Sequence, residues 1–316
     1  MSAKLAALLA LVIAAAGCAP ATSQPPSPPL VETPSILTSP EAATAFTQSA
    51  FLDQCEDWDE WDKPAPPFQL LGDTWYVGTC GISAILIVGQ ASHVLIDSGT
   101  EDSAPLILAN IRALGLDPRD VRYLLLSHEH FDHVGGHAAL VEATRAQVIA
   151  SPEAAKVLAS GTVSDADPQA AIHPAMAPVA VDRVMSDGDI LRVGDKEITA
   201  HLTPGHTPGA MSWTWSACSL PWEPPVCRRI AYVDSLSPVS SDEYRFTDHP
   251  ALVAGFRRSI AAVAGLPCDM LATPHPSASK MLGRMEAGEL LGGMSCGDYA
   301  RGIGQRLDAR LAEEAS

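Results

Sequence analysis

Apolar and polar positions alternate with two textures along the chain, and the changes between them predict the elements. Trp75–Val77, Ala84–Val88 and His93–Asp97 are short apolar runs joined by glycine turns and predict strands. A helix follows, capped by Ser103, with Pro105 in its first turn, Ile107, Ile111 and Leu114 on one face and Gly115 as its stop. Arg122–Ser127 predicts a strand, 134–145 a helix, 147–151 a strand and 152–159 a helix, with 152–182 as a loop and helix beside the site. The second half repeats the texture. Ile190–Val193 and Glu197–Leu202 flank a turn, and Met211–Trp215, Arg229–Val233 and Asp269–Ala272 are further strands. Pro250 opens a helix with Leu252, Phe256, Ile260 and Val263 on one side and Gly265 as its stop. Ile303, Leu307 and Leu311 mark a last helix in the tail from Tyr299. Strands followed by helices in both halves predict an α/β fold, two sheets face to face with helices outside.

Before residue 46 neither texture occurs. Lys4 precedes an apolar run, Leu5–Ala16, that ends in small residues; residues 1–17 read as an export signal too short to span a bilayer comfortably. The run closes on Ala15-Ala16-Gly17-Cys18, which has the form of a bacterial lipoprotein processing box. Lipidation would make Cys18 the first residue and a membrane anchor; ordinary cleavage nearby is the other reading. Both export the protein, and a periplasmic location is expected, soluble or anchored. Residues 18–45 are rich in Pro, Ser, Thr and Ala and read as a linker. A single domain is expected over 46–316. Its first stretch, 46–67, with Trp58, Trp61 and Pro64-Ala65-Pro66-Pro67, is expected as an ordered but irregular arm.

Composition adjusts this picture in two places. Hydrophobic residues make up 47% and charged residues 18% of the 316, enough apolar content for a large core. The net charge of −17 argues against nucleic acid or an anionic membrane surface as partner and suits a protein that holds cations. A monomer acting on a small molecule is expected. Of seven cysteines, setting Cys18 aside leaves Cys55, Cys80, Cys218, Cys227, Cys268 and Cys296. An even number in an exported protein points to disulfides, whose pairing the spacing leaves open. None has the CxxC spacing of a thiolate zinc site.

The chemistry concentrates in His128-Glu129-His130-Phe131-Asp132-His133. An extended or tightly turned segment aims His128 and His130, two apart, at one ion, while Asp132 and His133 turn to a second. Imidazole with carboxylate is zinc-type ligation, and two metals about 3.5–4 Å apart can activate a shared hydroxide at neutral pH. The strand Tyr123–Leu126 delivers this run to a C-terminal strand end, where layered α/β folds gather their ligand sites. Two lone histidines are presented in the same manner: His206 in Thr203-Pro204-Gly205-His206-Thr207-Pro208-Gly209, and His275 in Thr273-Pro274-His275-Pro276.

HxHxDH, then one His in a TPGHTPG loop and a late TPHP His, resembles the metallo-β-lactamase superfamily over about residues 70–310. The resemblance implies a four-layer αβ/βα sandwich of two mixed sheets. Asp97, in Leu95-Ile96-Asp97-Ser98-Gly99, matches the superfamily's first motif, whose Asp supports the metal site from behind its ligands. Within the superfamily the chain is similar to subclass B3 β-lactamases. That implies two Zn2+ ions, one on His128, His130 and His206, the other on Asp132, His133 and His275. Subclasses B1 and B2 place a Cys ligand in the fourth motif. The matching segment here, Tyr232-Val233-Asp234-Ser235-Leu236-Ser237, has none. Ser235 stands at that position and, with Ser237, would bind the substrate carboxylate; a hydrogen-bonded turn is the alternative for both. The resemblance also implies the bridges Cys55–Cys80, Cys218–Cys227 and Cys268–Cys296, and an N-terminal arm folded over the site.

The implied activity is hydrolysis of the β-lactam amide of penicillins, cephalosporins and carbapenems by a zinc-bound bridging hydroxide oriented by Asp132, conferring antibiotic resistance. Glu129 is expected to point away. One competitor is a glyoxalase II-like thioesterase or a lactonase of the same fold, which would use Asp234 as a metal-bridging ligand. The other is a non-catalytic exported zinc-binding protein.

Overall fold

The computed structural model describes residues 46–55, 60–219 and 226–316. The signal, the linker, Trp58 and the tip 220–225 lie outside the described residues. Sheet strands are β1 (Phe68–Leu71), β2 (Thr74–Tyr76), β3 (Ile85–Val88), β4 (His93–Ile96), β5 (Val121–Leu125), β6 (Gln147–Ala150), β7 (Arg183–Val184), β8 (Ile190–Val193), β9 (Lys196–Leu202), β10 (Met211–Ser219), β11 (Val226–Tyr232) and β12 (Met270–Ala272). Helices are α1 (Gln48–Gln54), α2 (Ser103–Ala113), α3 (Phe131–Val134), α4 (His137–Thr144), α5 (Pro152–Ser160), α6 (Pro250–Ala264), α7 (Met281–Glu286) and α8 (Cys296–Glu314).

β1 to β7 form one sheet in chain order, antiparallel from β1 to β4 and parallel from β4 to β7. The second sheet runs β12-β11-β10-β9-β8, with only β11 and β12 parallel. Both sheets are therefore mixed. The period-2 geometry of a strand sorts its side chains between two cores. Ile85 and Ile87 of β3, and Val94 and Ile96 of β4, meet Met211, Trp213 and Trp215 of β10 and Ile230 and Tyr232 of β11 in the core between the sheets. Their alternates, Leu86 and Leu95, pack on Ile107 and Ile111 of α2. Across the second sheet Ala231 and Leu271 pack on Phe256 and Val263 of α6 and Ile303 and Leu307 of α8. The result is the layered sandwich with helices on both outer faces. Strands buried on both faces read as near-continuous apolar runs, which is why they are visible in the sequence.

Several elements differ from expectation. Asp102, not Ser103, stands at the α2 N-cap; Ser103 Oγ instead bonds Asp62 of the arm at 3.0 Å. The helix expected over 134–145 is two, α3 and α4, parted at Gly135-Gly136. A Cβ at Gly135 would stand 2.4 Å from the Phe131 carbonyl, and one at Gly136 would stand 2.7 Å from that of Ser98, so the chain passes there only as glycine. The arm is not irregular throughout: Thr47 caps α1, and Phe51 packs against Phe68 and Tyr76 at 4.8 and 5.1 Å between ring centroids. β1 and β7 have no counterpart in the pattern. β1 follows the proline run directly, and β7 is two exposed residues at a sheet edge.

Cys55–Cys80 ties the end of α1 to the β2–β3 loop, Cys218–Cys227 joins opposite positions of β10 and β11, and Cys268–Cys296 holds the start of α8 beside β12. No helix among the described residues is long and apolar enough to cross a membrane.

Candidate metal centre

Loops after β4, β5, β9, β11 and β12 meet at the same edge of the two sheets and carry Asp97, the His128–His133 run, His206, Asp234–Ser237 and His275 respectively. β5 ends in buried Leu124 and Leu125, and buried Leu126 follows, so Ser127 and His128 emerge with no exposure to solvent. His130 then stands at the N-cap position of the single-turn helix α3, which turns Asp132 and His133 toward the same point.

Two donor groups result. One ligand atom from each of His128, His130 and His206 lies within 4.8 Å of the others. The outer nitrogens of these rings are occupied: His128 Nδ1 lies 2.9 Å from Asp234 Oδ1 and 3.1 Å from Ser127 Oγ, His130 Nε2 3.0 Å from Asp167 Oδ2, and His206 Nδ1 2.9 Å from the Ser237 carbonyl. That leaves His128 Nε2 buried without a partner, and it leaves His130 Nδ1 and His206 Nε2 for the cluster. In the second group His133 Nε2, His275 Nε2 and Asp132 Oδ2 stand 3.1 to 3.3 Å apart.

Charge favours a cation here. Burial, and then the neighbouring imidazoles, pull His128 and His130 well below the usual histidine range and His206 down to about 3. All three are thus in the neutral form that a metal ligand needs. Burial disfavours charge on His133, yet Asp132 and Asp97 outweigh it and push its pKa up to about 10. Asp132 is held well below the carboxylate range because His133 and His275 outweigh its burial. A buried donor pointing at nothing, three neutral imidazoles on one point and an ionised carboxylate with two imidazoles on the next fit borderline cations of the zinc type.

Asp97 takes φ 67°, a left-handed conformation tolerated mainly by Asn and Asp among non-glycine residues. Its carboxylate accepts from Ser127 N (2.6 Å), Ser127 Oγ (2.7 Å) and Tyr232 OH (2.6 Å), with His133 Nδ1 at 3.7 Å. It therefore braces the start of the His128–His133 run against the second sheet. Asp234 lies behind His128, on the nitrogen opposite the unpartnered one, and its Oδ2 accepts from Leu236 N at 2.9 Å. Glu129 points away from the cluster, as expected. It accepts from Thr207 Oγ1 and Gly209 N, both at 2.8 Å, so it clamps the loop that carries His206, and burial pushes its pKa up to about 7. Ser235 Oγ is buried without a partner, while the Ser237 carbonyl holds His206. The arm does reach the site: Trp61 lies 5.7 Å from Phe131 and 6.0 Å from His275 between ring centroids.

Two residues of the site are absent from the sequence reading. Asp167 bonds His130, and His173 stacks on His130 at 3.7 Å with neither ring nitrogen partnered. His173 also falls with His130 and Asp132 into a third group of close donor atoms. Both sit in 161–182, a loop with no periodic signal, and a carboxylate and an imidazole there look like any polar loop residue.

A family model described as the metallo-beta-lactamase superfamily matches residues 77–220. Among solved structures, the metallo-beta-lactamase MIM-2 is 49% identical with a TM-score of 0.80, covering 85% of this chain and 98% of that one. MIM-1 from Novosphingobium pentaromativorans is 48% identical at 0.81, covering 84% and 98%. MEM-A1, a subclass B3 metallo-beta-lactamase from a soil metagenome library, is 40% identical at 0.76, covering 81% and 99%. A hydroxyacylglutathione hydrolase of Mesorhizobium japonicum is 32% identical over 112 residues, which span 35% of this chain and only 34% of that relative.

Proposed function

Since the chain belongs to the metallo-β-lactamase superfamily and resembles its subclass B3 enzymes over nearly their whole length, we propose that it is a zinc β-lactamase that opens the ring amide of penicillins, cephalosporins and carbapenems and so confers resistance to them. His128, His130 and His206 would hold one Zn2+, and Asp132, His133 and His275 a second. Bound zinc supplies Lewis-acid polarisation of a carbonyl and a water made acidic near neutral pH. The remaining work falls to the chain. Asp132, ionised beside both donor groups, accepts a hydrogen from the attacking water and fixes its direction. Ser235 Oγ, which has no partner of its own, and Ser237 donate to the substrate carboxylate. Trp61 and Phe131 form an apolar wall that limits water around the reacting amide.

The observation that carries this reading over a thioesterase or lactonase is the place of Asp234. Those enzymes need it between the metals. Here its Oδ1 is 2.9 Å from His128 Nδ1, the far side of a ligand ring. An assay of purified protein against a penicillin, a carbapenem, an acyl-glutathione thioester and a homoserine lactone tests it. Turnover of the β-lactams is expected; turnover confined to thioester or lactone would overturn the assignment. Residues 1–17 as an export signal and three disulfides both suit a periplasmic enzyme. The mass of the mature N-terminus decides between a lipid on Cys18 and plain cleavage.

A further inference from the structure

His173 belongs to neither set of three proposed zinc ligands, yet its ring lies against one of them. It stands in the 161–182 loop, outside any helix or strand, between two anchors. Ile172 N donates to the Gln169 carbonyl at 3.0 Å, and Met176 N donates to the Gly161 carbonyl at 2.7 Å. The same loop is tied across to its neighbour, where the Pro168 carbonyl accepts from Ser241 N at 3.0 Å. So held, the loop sets the His173 ring on His130, with 3.7 Å between ring centroids and 24° between planes, and brings it to 5.6 Å from Phe131.

Both ring nitrogens of His173 are buried without a hydrogen-bond partner. Two unsatisfied polar atoms are costly, and packing alone would be better served by an apolar ring. One ligand atom from each of His130, Asp132 and His173 lies within 4.8 Å of the others, the same spacing that unites His128, His130 and His206. Two imidazoles and a carboxylate suit a zinc-type cation. This third group borrows His130 from one proposed ligand set and Asp132 from the other, so it cannot be filled while both sets are complete. An imidazole lone pair lies in the plane of its ring, so stacked rings do not aim at one ion. A turn of His173 about its Cβ–Cγ bond is needed for it to ligate.

We propose that His130, Asp132 and His173 form a third position for a zinc-type cation, overlapping the two-ion centre, with His173 as a reserve ligand that holds an ion when the set of His128, His130 and His206 is incomplete. The inference rests on the ligand assignment above. While that set is whole, its three imidazoles hold the ion and His173 keeps its stack on His130. When His206 is lost, His173 turns inward and replaces the missing nitrogen, with Asp132 as the carboxylate.

A double-mutant cycle on zinc affinity tests this. Competition with a chromogenic chelator measures zinc binding by metal-stripped wild type, His173→Phe, His206→Ala and the double variant. Phe keeps a ring on His130 and removes both nitrogens. Replacing His173 should leave the affinity of the wild type within about twofold but weaken that of His206→Ala by about tenfold, a coupling of the size expected for residues that share a partner. The visible spectrum of cobalt(II) bound to His206→Ala should also change when His173 is replaced. The same penalty in both backgrounds, or none in either, overturns the reserve ligand. His173→Gln, which also lacks the imidazole, must reproduce the cycle; a coupling confined to Phe overturns it as well. A metal-stripped wild type that takes up no zinc overturns the ligand assignment on which the inference rests.

Discussion

Each imidazole of the first donor group is held by its other nitrogen, and those outer contacts decide how well the ring can serve a metal. Asp167 holds His130, Ser127 holds His128 with Asp234 close beside it, and a main-chain carbonyl holds His206. Such contacts fix the tautomer and raise basicity, and losing one typically costs about 10- to 100-fold in metal affinity or activity. Asp167→Ala should therefore weaken zinc binding by about that factor, with Asp167→Asn between it and the wild type, because an amide oxygen can still accept. Competition with a chromogenic chelator measures this directly, and unchanged zinc affinity in Asp167→Ala would contradict it. The residues proposed as ligands stand out in the sequence because four of the six share one short run and two sit in stiff Pro/Gly loops. Asp167 and His173 were not, since their role arises only when the 161–182 loop folds back over His130.

At the scale of elements, the loops that carry ligands are anchored by contacts that cross between the sheets. Ser83, after β2, bonds the carbonyls of Thr273 and Pro274 and so fixes the His275 loop to the opposite sheet. Gly205 packs so close to Phe256 of α6 that a Cβ would stand 2.4 Å from its ring, which seats the His206 loop on that helix. α8 is anchored at its far end by Glu314, which accepts from Arg310 Nε at 2.7 Å and Thr247 N at 2.8 Å. Burial alone would raise the pKa of Glu314, but Arg310 and the Thr247 N–H outweigh it and bring it down to about 2 from 4.5. A depressed folded pKa means that the ionised form stabilises the fold above pH 4.5 and that this contribution is lost as pH falls toward about 2. Glu314→Gln should accordingly be less stable than the wild type at neutral pH. The gap in urea midpoint should close as pH is lowered through that window; a gap independent of pH would contradict the assignment. The main helices and most strands could be read beforehand because burial on two faces leaves a strong apolar period. The α3–α4 break could not, because a backbone approach at Gly135-Gly136 leaves no apolar signature.

For the whole molecule, a sandwich of two mixed sheets leaves five strand ends at one edge, and only the assembled pair of sheets brings their loops together. The metal centre is thus a product of the complete fold, and metal binding should in turn stabilise that fold. On the proposed reading, six residues hold two zinc ions that make this chain a β-lactamase. That reading is tested most directly by zinc content measured alongside carbapenem hydrolysis, before chelation, after chelation and after zinc is returned. Two zinc ions per chain are expected, with hydrolysis that disappears as they are stripped and recovers when zinc is restored. Full hydrolysis by metal-free protein, or a fully zinc-loaded protein that hydrolyses no carbapenem, would contradict it.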